Sequence, residues 1–184
     1  MRTLFSTPLL LTLVLALVLT GCSAGVTRPS DESQTSNVLL TEPATITLTL
    51  SDDARKQAAS NTKFNEDVFL GTLTHALDAK GLLAKNDAPV RRITVEVTGV
   101  RVRGTFSAIM FGFMAGPDHL KGRVTLIDAD NNPLRFFDVS ATYAFGGVAG
   151  GQDGTRLGWL YERFAQEMIN ELTGKTKSGT APNE

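Results

Sequence analysis

The chain opens on an uncharged, mostly apolar run over residues 4–19, behind a single basic residue, Arg2. Roughly sixteen residues of this kind suit the apolar core of an export signal and fall short of the ~20 that a spanning helix needs. A stretch rich in Ser, Thr, Pro, Asp and Asn then runs to about residue 43 and reads as a flexible linker, which at about twenty residues would span on the order of 25 Å. From residue 44 the pattern changes. Ile46, Leu48 and Leu50 alternate with threonines, the signature of a half-buried strand. Residues 51–60 are polar and read as a short helical turn or loop. Between about 65 and 80 the period lengthens: Phe64, Val68, Leu70, Leu73, Ala76 and Leu77 recur at helical spacing, Glu66 and Asp67 sit in the first turn, and Gly81 follows as a stop.

A second strand is predicted over 91–103, and its phase is informative. Ile93, Val95 and Val97 share one parity, Val100 and Val102 the other, and Gly99 stands where they change, so a β-bulge is predicted there. A third strand covers 120–127, with Val124 and Leu126 on one face. The two-asparagine turn at 128–133 joins it to a fourth strand over 134–144, making a hairpin. A glycine-rich connection over 146–154 leads to a final helix over 155–172. Leu157, Leu160, Tyr161, Phe164, Met168, Ile169 and Leu172 line one side of it, and Gly174 ends it. Residues 175–184 lack periodicity and are expected to be disordered. The order β-α-β-β-β-α predicts an α+β domain over 44–174, with two helices on one face of a mostly antiparallel four-stranded sheet.

Charge changes this picture little. With 18 Lys+Arg against 19 Asp+Glu the net charge is −1, which gives no electrostatic case for nucleic acid or for a polybasic grip on membranes. The length left after an export signal suits one globular domain.

The sole cysteine matters more. Leu19-Thr20-Gly21-Cys22 closes the apolar run, and no second cysteine exists for an intramolecular disulfide. The competing readings are a retained transmembrane helix or a signal cut elsewhere. A leucine, a small residue, glycine and cysteine in that order resembles the lipobox of bacterial lipoprotein precursors. The resemblance implies a signal peptide over 1–21, cleavage before Cys22, a diacylglyceryl thioether on its sulfur and an acylated new N-terminus, with the linker occupying 22–43. Ser23 and Ala24 follow where an aspartate tends to retain lipoproteins in the inner membrane, so the same resemblance implies an outer-membrane anchor with the domain in the periplasm.

Further along, FGFMAG at 111–116, GRVTLIDA at 122–129, PLRFFDV at 133–139, Gly146-Gly147 and the closing helix resemble an uncharacterised family of bacterial envelope lipoproteins defined by a domain of unknown function. That resemblance implies a location and an α/β scaffold but no chemistry. Element order is loosely similar to TolB N-terminal-type domains, the curli secretion lipoprotein and the lipopolysaccharide-assembly lipoprotein, which are scaffolds and assembly factors; fold does not settle function.

The segment most suited to act is the uncharged run between Gly104 and Gly116. Ile109, Met110, Phe111, Phe113 and Met114 form either a core-buried loop or a continuation of the second strand covering the sheet's end, or else an adaptable exposed surface for a partner or a membrane. Other chemistry is weakly supported. The glycines before the last helix lack the P-loop pattern, since Gln152-Asp153 stands where Lys-Ser/Thr is required, and Asp153 or Thr155 reads as a helix cap. His75 and Asp78 share a helix face and His119 is the only other histidine, so no metal motif results. No Gly-x-Ser-x-Gly elbow surrounds a serine. Trp159 and Tyr161 are best explained by packing. The chain is therefore expected to be no enzyme, to need no cofactor or metal, and to work as a lipid-anchored structural or assembly module with an envelope protein partner. The alternative is a binding module for lipid or envelope polymer.

Overall fold

The structure is a computed structural model and describes residues 22–28, 38–60, 63–85, 91–104, 116–144 and 153–175. Among them are five strands and three helices: β1 (Cys22–Thr27), β2 (Ala44–Leu50), α1 (Asp52–Ser60), α2 (Glu66–Asp78), β3 (Arg91–Arg101), β4 (Asp118–Ile127), β5 (Pro133–Tyr143) and α3 (Asp153–Leu172). The strands form one sheet in the order β1-β5-β4-β3-β2. All neighbours are antiparallel except β2 and β3, which are parallel and joined through α1 and α2, as a parallel pair requires a crossover. The α+β class and the mostly antiparallel sheet agree with the sequence; the counts of four strands and two helices do not.

The fifth strand comes from the predicted linker. Residues 22–27 pair with β5 from Cys22↔Tyr143 to Thr27↔Asp138, and Ala24 and Val26 alternate toward the core. Farther along, Leu40 is buried and donates its N–H to the Leu172 carbonyl at 2.8 Å. The third helix is α1, in the stretch read as a turn or loop. It buries only Ala54, so it carries almost no periodic apolar signal, and Ser51 caps it by accepting the Ala54 N–H.

The bulge at Gly99 is present: Val97 pairs with Gly122 and Gly99 with Lys121, leaving Thr98 as the extra residue. The insertion turns Val100 back into the core behind Ile93, Val95 and Val97. Its interrupted ladder is repaired from α1, where the Gln57 side-chain oxygen accepts the Val100 N–H at 2.9 Å.

Asn65 caps α2 by accepting the Val68 N–H, and Gly81, at φ +68°, ends its last turn. The buried stripe of α2 is Phe69, Leu73 and Leu77; Val68, expected inside, is 54 % exposed. The α3 stripe is as read from the sequence, with Leu157, Leu160, Tyr161, Phe164, Met168, Ile169 and Leu172 all buried. At about 1.5–3 kcal/mol for each large apolar side chain, this helix supplies a major part of the core. The two helices meet through aromatic rings: Phe69 stacks on Tyr161 at 4.9 Å and meets the Phe164 edge at 5.2 Å. Phe164 also rests on the sheet over Gly122, where an added Cβ would lie 3.1 Å from the ring.

Candidate functional site

The row Cys22–Tyr143–Asp118 runs across one end of the sheet, since Tyr143 pairs with both of the others. Gly104, Gly116 and Ala144 stand at the same end, and α3 begins there. The described residues that flank 105–115 and 145–152 therefore lie at the end of the sheet that carries Cys22. Ile109, Met110, Phe111, Phe113 and Met114, singled out as an interaction surface, lie outside the described residues. Cys22 is exposed, so its sulfur is accessible for modification.

Behind this rim lies a buried charge network. Asp118 opens β4 on the same parity as Leu120 and Val124, where an uncompensated carboxylate would be costly. It is compensated fully. Its Oδ1 accepts the Arg103 backbone N–H at 2.7 Å and Nε at 3.0 Å, and its Oδ2 pairs with Arg156 Nε at 2.8 Å. Arg156 continues to Asp153 Oδ1 at 2.7 Å and to the Arg103 carbonyl at 2.6 Å, and Asp153 also pairs with Lys63. Arg103 reaches the Tyr143 carbonyl at 3.4 Å. Arg103, Asp118, Asp153 and Arg156 are each at most 5 % exposed. The network binds the ends of β3, β4 and β5 to the first turn of α3. Asp153 is the first residue of α3 and pairs with Arg156 and Lys63, while Thr155 lies inside the helix.

A second network holds the opposite end of β1. Glu171, 1 % exposed, takes a bidentate pair from Arg28 with both distances 2.7 Å, and pairs on its other side with Arg135. Arg135 also donates to the carbonyls of Val38 and Glu171 at 3.3 Å and lies over the Phe137 ring. Burial lowers the pKa of its guanidinium, with Arg28 adding to the effect.

The remaining sequence candidates are dispersed. His75 is exposed on α2, and Asp78 pairs with Lys85 at 3.5 Å. His119 stands on β4, its pKa lowered first by burial and then by Lys121 and Arg101. Among the described residues no three His, Cys, Asp or Glu side chains converge as metal ligands. Tyr161 is core, its hydroxyl accepting the Asn65 N–H at 3.0 Å, while Trp159 is half-buried against Tyr143 with centroids 5.3 Å apart. Burial, reinforced by Cys22, pushes the Tyr143 phenol up.

Sequence reasoning passed over Arg103, Asp118, Arg135, Arg156 and Glu171. A signal existed for most of them. Asp118 and Arg135 keep the inward parity of their strands, and Arg156 stands four residues before Leu160 on the inner stripe of α3.

A family model described as a domain of unknown function, DUF4410, matches residues 32–147, from before β2 to just past β5. No curated protein matches. Among solved structures the chain is similar to the PelC dodecamer from Paraburkholderia phytofirmans, at 11 % identity over 83 % of this chain and 98 % of that one, TM-score 0.42. It is also similar to a PDZ domain protein from Parabacteroides distasonis, at 16 % identity over 92 % of this chain and 40 % of that one, TM-score 0.39. A DUF330 protein from Xanthomonas campestris is similar at 11 % identity over 81 % and 95 %, TM-score 0.37.

Proposed function

We propose that this chain, which belongs to the DUF4410 family, is a lipid-anchored envelope module, held by acyl chains on Cys22 and acting in structure or assembly through a protein partner rather than by catalysis. The observation that carries the reading is Leu19-Thr20-Gly21-Cys22 closing an apolar run, with Cys22 exposed at the first position of an edge strand. Two or more acyl chains give a durable anchor where one is marginal, at roughly 0.8 kcal/mol per buried methylene. The outer membrane is the site we assign it, from Ser23 and Ala24 after the cysteine. The partner-binding element in this reading is the run of Ile109, Met110, Phe111, Phe113 and Met114, whose roots share an end of the sheet with Cys22.

Mass analysis of the mature protein tests the anchor. A triacylated Cys22 as first residue is the expected result, and Cys22→Ser should stop processing and release the domain from the membrane fraction. An unmodified thiol, or a serine variant that fractionates unchanged, overturns it. Crosslinking in cells from positions 109–114 tests the role: discrete protein adducts support an assembly module, whereas lipid or glycan adducts replace it with a binding module for those ligands.

A further inference from the structure

The predicted linker would have held the domain off the bilayer, but β1 starts at Cys22 itself and is paired along its whole length. On the reading that Cys22 is acylated, no spacer separates the acyl chains from the sheet, and the end of the fold that meets the headgroups is fixed by the register.

That end has a distinct chemistry. It carries Lys63, Arg101, Arg103, Lys121 and Arg156 against two carboxylates, Asp118 and Asp153, in a chain whose net charge is −1. Arg101 and Lys121 are exposed and flank His119 on the open face of the sheet. Neighbouring α1 is neutral, with Asp52 and Asp53 against Arg55 and Lys56, while Glu66 and Asp67 open α2 farther back, where Asn65 meets Tyr161 two turns into α3. On the other side of the rim, Tyr143 pairs with Cys22 in the sheet and meets Trp159 edge-on at 5.3 Å, both rings half-exposed. Tyr and Trp rings favour the headgroup level of a bilayer, where an apolar body and a polar tip are both satisfied, and basic side chains are drawn to anionic lipid within a Debye length.

We propose that the sheet end bearing Cys22, Tyr143 and Trp159 lies in the headgroup layer of an anionic phospholipid bilayer, with Arg101 and Lys121 against lipid phosphates. The domain then stands with its strands rising from the membrane, and the opposite end, at Arg28, Val38 and Glu171, points away from it.

Trp159 is the only tryptophan, so its emission reports on this surface alone. The test uses the native lipoprotein reconstituted in phosphatidylethanolamine–phosphatidylglycerol vesicles containing phospholipid brominated near the headgroup. The emission should be quenched by the bromolipid, with a blue shift and with iodide access lost, as for an interfacial aromatic. Reversing both exposed cations, Arg101→Glu with Lys121→Glu, should reduce that quenching and its dependence on phosphatidylglycerol while leaving vesicle flotation intact. If the protein is acylated and floats, yet Trp159 stays open to iodide and untouched by bromolipid, the orientation is wrong and the anchor stands. If Cys22 is unmodified and flotation fails, the anchor itself is wrong and the orientation falls with it.

Discussion

Replacing Asp118 by alanine removes the hub of the buried network while leaving Arg103, at 5 % exposure, and Arg156, at 1 %, in place. The lost contacts are those to the Arg103 N–H, Nε and a terminal nitrogen and to Arg156 Nε, between 2.7 and 3.3 Å. Stripping the counter-charge from buried guanidinium groups costs about 3–5 kcal/mol. That is a large part of the ~5–15 kcal/mol stabilising a typical domain. For a domain of this size it corresponds to a fall in Tm of roughly 10 °C. The comparison is Asp138→Ala, which breaks an ion pair of the same type with Arg123, but one whose side chains are 48 % and 42 % exposed. There the loss should be about 1 kcal/mol or less, because water screens and replaces the pair. Urea unfolding followed by Trp159 fluorescence and by circular dichroism gives both numbers from one protocol. Asp118→Asn should fall between them, since its oxygen still accepts the Arg103 N–H. Were Asp118→Ala to cost no more than Asp138→Ala, the network would not be what holds β3, β4 and α3 together, and the account of this end of the sheet would fail.

Gly122→Ala places a Cβ 3.0 Å from the Glu96 carbonyl and 3.1 Å from Phe164, so α3 must shift or the strands must part; a loss of about 1–3 kcal/mol is expected by denaturation, and a neutral result refutes the close contact. His119 has its pKa lowered in the fold, so the unfolded chain binds the extra proton first: stability should decline as pH falls through about 6.5, and His119→Gln should flatten that part of a stability–pH curve, whereas parallel curves refute it. Phe111→Ser with Phe113→Ser should reduce partner recovery in a pull-down and leave Tm within a degree or two; a large stability loss would instead mark those rings as core.

The parts of the fold legible in the sequence are those in which one periodic signal dominates. The change of parity between Val97 and Val100 gave the bulge its place, and the stripe from Leu157 to Leu172 named the inner face of α3 correctly. Strand β1 offered only Ala24 and Val26 as inward apolar positions, and its partner is remote, so a local reading has nothing to distinguish it from linker. Helix α1 stands on a single buried alanine, its place determined by the bulge that Gln57 caps. The error at Val68 is one of phase: Phe69 takes the inward position because Tyr161 and Phe164 offer it a ring socket, a tertiary fact invisible to spacing. Of the site, the motif at Cys22 raises an expectation, to which the fold adds only that the residue is exposed. Asp118, Arg135 and Arg156 were hidden because a charge in an apolar phase reads as a break in the pattern rather than as a member of it.

The remoteness of β1 from its partners also bears on the order of assembly. Cys22 pairs with Tyr143, and Arg28 closes on Glu171, a residue 143 positions later. Closing so wide a loop is entropically slow, and it has no template until the hairpin of β4 and β5 exists. The N-terminal strand is therefore the last piece to be seated on the sheet. Until then Cys22, at the first position of that strand, stands apart from Tyr143, the residue it pairs with in the finished sheet.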